Sequence, residues 1–496
     1  MAVFKRWQYL SPIDCFIPSQ YARQSLCFPT RGPSPVLALR EGLQKTVLSI
    51  PQLSTNIIPS SSSLSHDLLP HTSYDINKFV LSNPEYHDIT DIFSEGPPEL
   101  VQDLEYTRLD RAGFPNNLLN KDVFLPPLPH FPASDGPAPA FRARVTQIPG
   151  GTVVSICVHH SLTDLGGIYN ILKTWAYFCK QSYKEDNPCR VGAPSATEPP
   201  SMPAGDCDRR RVFGSVLDGH GHPRKEPTLP AGIHLLDAIP PVLTSDLMAQ
   251  LPLETAHFRI STPVIQSLKA RAQQHLPAEM RISSNDLISA MMWSATTSAT
   301  TNASSTQDGL ADPEAEDTVS MGLSVDMRRR LMPPIPDNFI GNVLAMAWPT
   351  VSRHLLLDAA SDSGPSSSSF SSLAQVASHI SSSHQALDEA YFQNFVTYLD
   401  CHKEDMAKLQ WGPGPSKVNM VASIWRGFRV DSLDWGSEIG ECQAVRTRLP
   451  FPHTITILPQ MAGDEGIDVV YCLLAPTMER LKSCQIIKEF WQVRDD

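Results

Sequence analysis

A chain of 496 residues and 54.7 kDa exceeds the size at which a single hydrophobic core usually stops growing, so two domains are expected. Its composition, 41% hydrophobic and 19% charged, is that of a folded protein, and a net charge of −12 excludes broad nucleic-acid binding, which needs clustered Lys and Arg. The ten cysteines contain no CxxC pair and read as reduced core thiols, not as a zinc site or disulfide framework. The opening residues lack the apolar run of a signal peptide and no stretch approaches about 18 apolar residues, so the expectation is a cytoplasmic protein with no membrane insertion.

In chain order, "LSPIDCF" (Leu10 to Phe16) begins the first ordered unit, and "PVLALREGLQKTVLSIPQLS" predicts an amphipathic helix carrying Leu37, Leu43 and Val47 and stopped near Pro51. "FRARVTQIPGGTVVSICVH" predicts a hairpin. Phe141, Ala143 and Val145 alternate with polar neighbours, Pro149, Gly150 and Gly151 supply the turn, and the second strand runs into His159 and His160. "IYNILKTWAYF" then sets Ile168, Ile171, Leu172, Trp175 and Ala176 on one helical face. Between Lys184 and Pro230 the chain is rich in Pro, Gly, Asp and Arg without periodicity. The expected organisation is therefore a first domain over 1–190, a crossover linker over 191–235 and a second domain over 236–496.

The second half restarts with a strand around Phe258 and a helix with Val264, Leu268 and Ala272 at helical spacing, followed by a helix over "SSNDLISAMMWSATTSAT" with Ser284 or Asn285 as N-cap. "TTNASSTQDGLADPEAEDT" reads as an exposed insertion and "SDSGPSSSSFSS" as low complexity. "HTITILP" and "IDVVYCLL" are two strands around a loop, and "TMERLKSCQIIKEFW" is a closing helix with Met478, Leu481, Cys484 or Ile487 inward. Strands and helices alternate in both halves, which defines an α/β class.

The chemistry concentrates at "VHHSLTDLGG", where a buried strand hands over to a helix. A neutral imidazole titrates near pH 6.5, within reach of both giving and taking a proton at neutral pH, and strand alternation through Val154, Ile156 and Val158 puts His160 and His159 on opposite sides. Asp164, four residues on, either orients the ring or ties the loop to an arginine, and Gly166 and Gly167 admit a close neighbour. A metal held by His160 and Asp164 lacks further ligands of HExxH or Cys/His type, and no GxSxG nucleophile elbow is present. From these residues alone, a catalytic HxxxD and a satisfied structural histidine both stay open.

His160-Ser161-Leu162-Thr163-Asp164 resembles the HxxxD motif of the BAHD-type acyl-CoA-dependent acyltransferases. "LSPIDCF", "SNDLISAMMW", "SVDMRRR", "FIGN" and "LDWGSEIG" resemble further landmarks of that family, its fungal trichothecene acetyltransferases included. Leu165 stands where many members have glycine, and Asp434-Trp435-Gly436-Ser437-Glu438 keeps the aspartate and first glycine of DFGWG but not its final Trp-Gly. The resemblance implies two similarly folded mixed-sheet domains around a central channel, chloramphenicol-acetyltransferase-like. It implies His160 as general base, Asp164 as the second catalytic-motif residue, supporting loop geometry and not relaying charge, and a structural pair between Arg328 and Asp434 beside Gly436. Trp435 and Ser437 are candidates for contact with ligand or transition state, while core packing is the default for Trp348 and Trp425. The implied activity is transfer of an acetyl group from acetyl-CoA, a co-substrate, to a hydroxyl of a fungal secondary metabolite. The partners are acyl-CoA and a small apolar alcohol, with no bound metal or resident cofactor, on a monomer. The competing readings are an amide-forming N-acyltransferase or condensation-like enzyme, since HxxxD also occurs in peptide-synthetase condensation domains and carnitine acyltransferases, and a non-catalytic small-molecule binding or interaction protein.

Overall fold

The computed structural model describes residues 8–59, 79–81, 89–133, 136–185, 226–241, 243–304, 318–336, 338–361, 367–414, 418–449 and 451–494. The crossover expected over 191–235 lies outside them up to residue 225, as does most of the acidic insertion after Ser304.

The predicted hairpin forms from Phe141–Ile148 and Gly151–His159, with Ile148 opposite Gly151, so the turn proper is Pro149-Gly150. The second strand is the centre of a five-stranded sheet in the order Ala444–Thr447, Tyr21–Pro29, Gly151–His159, Phe141–Ile148, Phe93–Glu95. All nine residues of Gly151–His159 are buried, which is why they read as a continuous β-branched and apolar run. Helix Leu165–Glu185 follows, and the five residues on its predicted apolar face are all buried. It packs on helix Pro35–Ser49, which ends just before Pro51 as expected.

A second mixed sheet is built from Leu344–Ala347, Thr318–Asp326, Val418–Ile424, Thr454–Ile457, Gly466–Leu474, Leu253–Ser261 and Gln492–Arg494, with Thr350–Ser352 also paired to Thr318–Asp326. Helix Ser284–Ser304 packs beside it against helices Arg353–Ala360, Ser367–Gln385 and Ala475–Ser483. Its N-cap is Ser283, one residue before the expected candidates: Ser283 and Asp286 exchange side-chain and backbone hydrogen bonds in a capping box, which requires the acid three residues after the cap.

Three features differ from the sequence expectations. The closing helix is two helices, Ala475–Ser483 and Gln485–Phe490, separated by Cys484 in an extended conformation. The serine-rich stretch joins a helix from Ser367, where buried Phe370 gives it a core anchor that serine content conceals. Strand Ala444–Thr447, from the second half of the chain, pairs antiparallel with Tyr21–Pro29 and completes the edge of the first sheet. Arg446 on that strand donates to the Gly113 and Phe114 carbonyls and to Asp468 of the second sheet, where Arg259 also pairs with Asp468. The two sheets are thereby joined by a partly buried charged network.

Candidate active site

His159 ends the strand and His160 begins the turn into helix Leu165–Glu185. The two rings have different surroundings. The Ser161 N–H donates to His159 Nδ1 at 3.2 Å, so that nitrogen carries no proton and Nε2–H faces Ser19 Oγ at 3.3 Å. Tyr21 packs edge-on at 5.4 Å between ring centroids. Burial and the neighbouring His160 push the His159 pKa down to about 3. His159 is thus a neutral, hydrogen-bonded core residue.

His160 is half-buried, its backbone pinned on both sides: its N–H donates to the Gln20 carbonyl at 2.8 Å, and its carbonyl accepts from Asn342 Nδ2 at 2.8 Å. Asn342 also donates through its backbone N–H and Nδ2 to Asp14 Oδ1, at 2.8 and 2.9 Å. Asp14 is in turn fixed by Ser11, with which it forms a capping box at the start of helix Pro12–Phe16. The landmark segments "LSPIDCF" and "FIGN" therefore meet at the His160 turn. Sequence reasoning identified both segments and missed that Asp14 and Asn342 are the residues that act. The Ser11-x-x-Asp14 spacing carried the capping signal, whereas nothing local marked its contact with Asn342.

Burial lowers the pKa of His160, opposed by its own backbone carbonyl, the charge of Asp164, the Asn342 amide and the charge of Asp14. Its Nδ1 is buried with no hydrogen bond of good geometry. The ring is held uncharged at neutral pH, the state in which it accepts a proton.

Asp164 does not bond to the His160 ring. Its two carboxylate oxygens accept from Arg328 Nη1 and Nη2 at 2.9 and 2.8 Å, from the Val343 N–H at 2.8 Å, and from the Gly167 N–H at 3.1 Å, the last as helix N-cap. Asp164 and Arg328 are 5% and 3% exposed. Burial alone would raise the Asp164 pKa, but the charge and hydrogen bonds of Arg328 outweigh it and hold the carboxyl below its ordinary range. The paired glycines now have a reason: a Cβ on Gly166 would lie 2.7 Å from Arg328 Nη1, and one on Gly167 would collide with Thr163 Oγ1. Thr163 exchanges hydrogen bonds with backbone Gly341, closing the same junction.

This corrects the expected pairing of Arg328 with Asp434. Arg328 is committed to Asp164, Asp326 and the Gly341 carbonyl, and Asp434 bonds Lys180 at 2.5 Å on the back of the helix that follows the turn. Asp434 also caps the backbone N–H of Gly436, whose φ is +86°. Its side chain is 61% exposed, so water screens the pair with Lys180. D434A is accordingly expected to cost about 1 kcal/mol or less in urea unfolding, and a loss several times larger would reinstate a buried structural role. Trp435, a candidate ligand contact, is 1% exposed and packed edge-on between Phe28 and Trp175, which leaves no ring face for a ligand. Ser437 is exposed. Trp425 is buried with its Nε1 donating to Ser423, and Trp348 is half-buried. Among the described residues no three His, Cys, Asp or Glu side chains are grouped to share a metal ion, and no helix is long and apolar enough to cross a membrane.

Two mixed-sheet α/β domains around a central channel are the chloramphenicol-acetyltransferase-like fold. The Transferase family profile matches residues 114–486, and the chain belongs to this family, in the BAHD-type acyl-CoA-dependent branch. It is 22% identical to the O-acetyltransferase anaAT of Neosartorya fischeri, over 95% of this chain and 94% of that protein. It is also 22% identical to the communesin N16 acyltransferase cnsK of Penicillium expansum, over 93% and 91%. Among solved structures, F. sporotrichioides TRI101 complexed with coenzyme A and T-2 superposes with a TM-score of 0.72 at 19% identity, covering 99% of this chain and 100% of that one.

Proposed function

We propose that the protein is an acyl-CoA-dependent O-acyltransferase that moves an acetyl group from acetyl-CoA to a hydroxyl of a small apolar secondary metabolite, with His160 as general base. The observation that carries this reading is the division of labour at the turn. Asp164 is locked to Arg328 and His159 is locked in the core, so at this turn His160 is the neutral imidazole that is bonded to no carboxylate. With Nδ1 buried, Nε2 takes the proton of the acceptor hydroxyl as its oxygen attacks the thioester carbonyl. The tetrahedral oxyanion collapses, the C–S bond breaks, and the imidazolium returns the proton to the departing thiolate. Atoms balance without an acyl-enzyme.

A cavity of about 540 Å3 lined by Arg426, Arg429, Asp431, Gln460 and Asp464 is our candidate for the phosphate end of the donor, and Arg426 is the guanidinium offered to it, since Arg429 is paired with Asp431 and Asp464 with Arg259. The relatives anaAT and cnsK bear names for O-acetyl and N16-acyl transfer. Amine acceptors are therefore the second reading, served by the same base.

The test is release of free CoA thiol from acetyl-CoA with panels of alcohols and amines. Turnover confined to amines overturns O-transfer, and tight binding without CoA release overturns catalysis. The pH profile supplies an independent check. The active form is neutral, so kcat/KM rises with pH through the pKa of His160 in the free enzyme, which burial lowers. The acid limb is expected below pH ~6.5, with a plateau at neutrality. A limb centred above pH 7 excludes this environment for the base.

A further inference from the structure

Away from the catalytic turn, a cavity of about 520 Å3 lies between the loop over residues 116–131 of the first unit and the start of the second, where the Phe131 N–H donates to Ser245 Oγ at 3.2 Å. Its volume is that of a small-molecule site. Leu125 through Leu128, Met248 and Leu253 give it an apolar part, beside the polar Asn116, His130, Ser245 and Thr255. Its charge is one-sided: Arg23, Lys121 and Arg448 line it against a single carboxylate, Asp122, on a chain whose net charge is −12.

Arg23 is the anomaly. It sits on strand Tyr21–Pro29 opposite Cys157 and is only 8% exposed. Its Nη2 donates to the Leu128 carbonyl at 2.6 Å, but its Nε has no hydrogen-bond partner, and no carboxylate among the described residues pairs with it. A guanidinium taken out of water without a counter-charge is costly, and proteins ordinarily pair such groups. His130 beside it is pushed down to about 3 by burial and by the charge of Arg23, so it adds a neutral ring and no negative charge.

We propose that this cavity is a binding site for a small organic acid, whose carboxylate meets Arg23 and whose apolar body lies between the proline-rich loop and Met248 and Leu253. The planar guanidinium suits a carboxylate, and the apolar side chains of Leu125, Leu128, Met248 and Leu253 in the same cavity suit a hydrophobic tail. Arg23 is three residues along the chain from Gln20, which precedes the strand and whose carbonyl holds the His160 backbone. The acid is either part of the acceptor or a separate effector. The site itself does not depend on the acyl-transfer reading.

Titration calorimetry of the full chain with 4-phenylbutyrate and with the matched neutral alcohol 4-phenylbutan-1-ol tests the site. The acid is expected to bind the wild type at least about tenfold more tightly than the alcohol, as one charge-assisted hydrogen bond to a buried partner implies. Arg23→Met should erase that difference while leaving alcohol binding unchanged. Equal binding of both probes by the wild type, or undiminished acid binding by Arg23→Met, overturns the proposal. Should Arg23→Met fail to fold, Lys121→Glu reverses charge at an exposed lining residue, and acid binding that this change does not weaken overturns the proposal equally. H160A is expected to keep acid binding, which separates failure of this site from failure of the transferase reading. With 4-(4-hydroxyphenyl)butyrate, a mass gain of one acetyl group identifies the acid as acceptor. Binding without acetylation, with a changed KM for another alcohol, identifies it as effector.

Discussion

H160A retains the native fold and acyl-CoA binding and loses ~10²- to 10⁴-fold in single-turnover CoA release, the range expected when a positioned general base is removed. The half-buried ring makes no hydrogen bond of good geometry through Nδ1, and the turn is held through backbone groups that alanine keeps: the N–H to Gln20 and the carbonyl to Asn342. The effect therefore falls on kcat rather than on folding. H159A is the control with the opposite profile. That ring is fully buried against Tyr21 and Ser19, so truncation opens a cavity and lowers stability while the proton-transfer chemistry persists. Near-normal turnover in folded H160A, with collapse of turnover in folded H159A, would exchange the two roles.

The second large effect is on stability. D164N keeps the shape of the side chain, removes the charge, and leaves Arg328 buried with only the partly exposed Asp326 opposite it. Breaking a buried pair in this way costs ~3 to 5 kcal/mol, to be read from urea unfolding at neutral pH. R328M is expected to cost a similar amount, because the Asp164 carboxylate then keeps only the N–H groups of Val343 and Gly167. The double variant D164N/R328M should lose clearly less than the sum of the two, since neither charge is abandoned. The pH dependence has a fixed sign. The Asp164 pKa is depressed in the folded state, so the pair's contribution is complete above the ordinary carboxylate pKa and disappears as pH falls through the depressed value. Single variants within about 1 kcal/mol of wild type would mean that the pair is not what holds the turn.

Local pattern made much of this legible. The hairpin into His159, the helix face from Ile168 to Ala176 and the glycines after Asp164 are all written within one window of chain, where a period of 2 changes to 3.6. The choice between Asp164 and Asp434 as partner of Arg328 was not. Both aspartates are short acids far from Arg328 in sequence, and only burial tells them apart: one lies under the FIGN segment, the other faces water over Lys180. Trp435 shows the same limit, because an aromatic beside a loop motif reads alike whether it meets a ligand or, as here, Phe28 and Trp175. Asp14 and Asn342 escaped because their contact joins distant segments, and periodicity carries no information about such pairs.

The strand Ala444–Thr447, seated beside Tyr21–Pro29, bears on how the molecule is made. Gln24 waits for Thr447 as its partner, so most of the polypeptide has left the ribosome before the first sheet is closed. Until then Gln24–Cys27 offers its backbone amides and carbonyls to any passing strand, the situation in which nascent chains pair with the wrong neighbour or call on chaperones. Residues 1–190 alone therefore lack the strand that completes the edge of the first sheet.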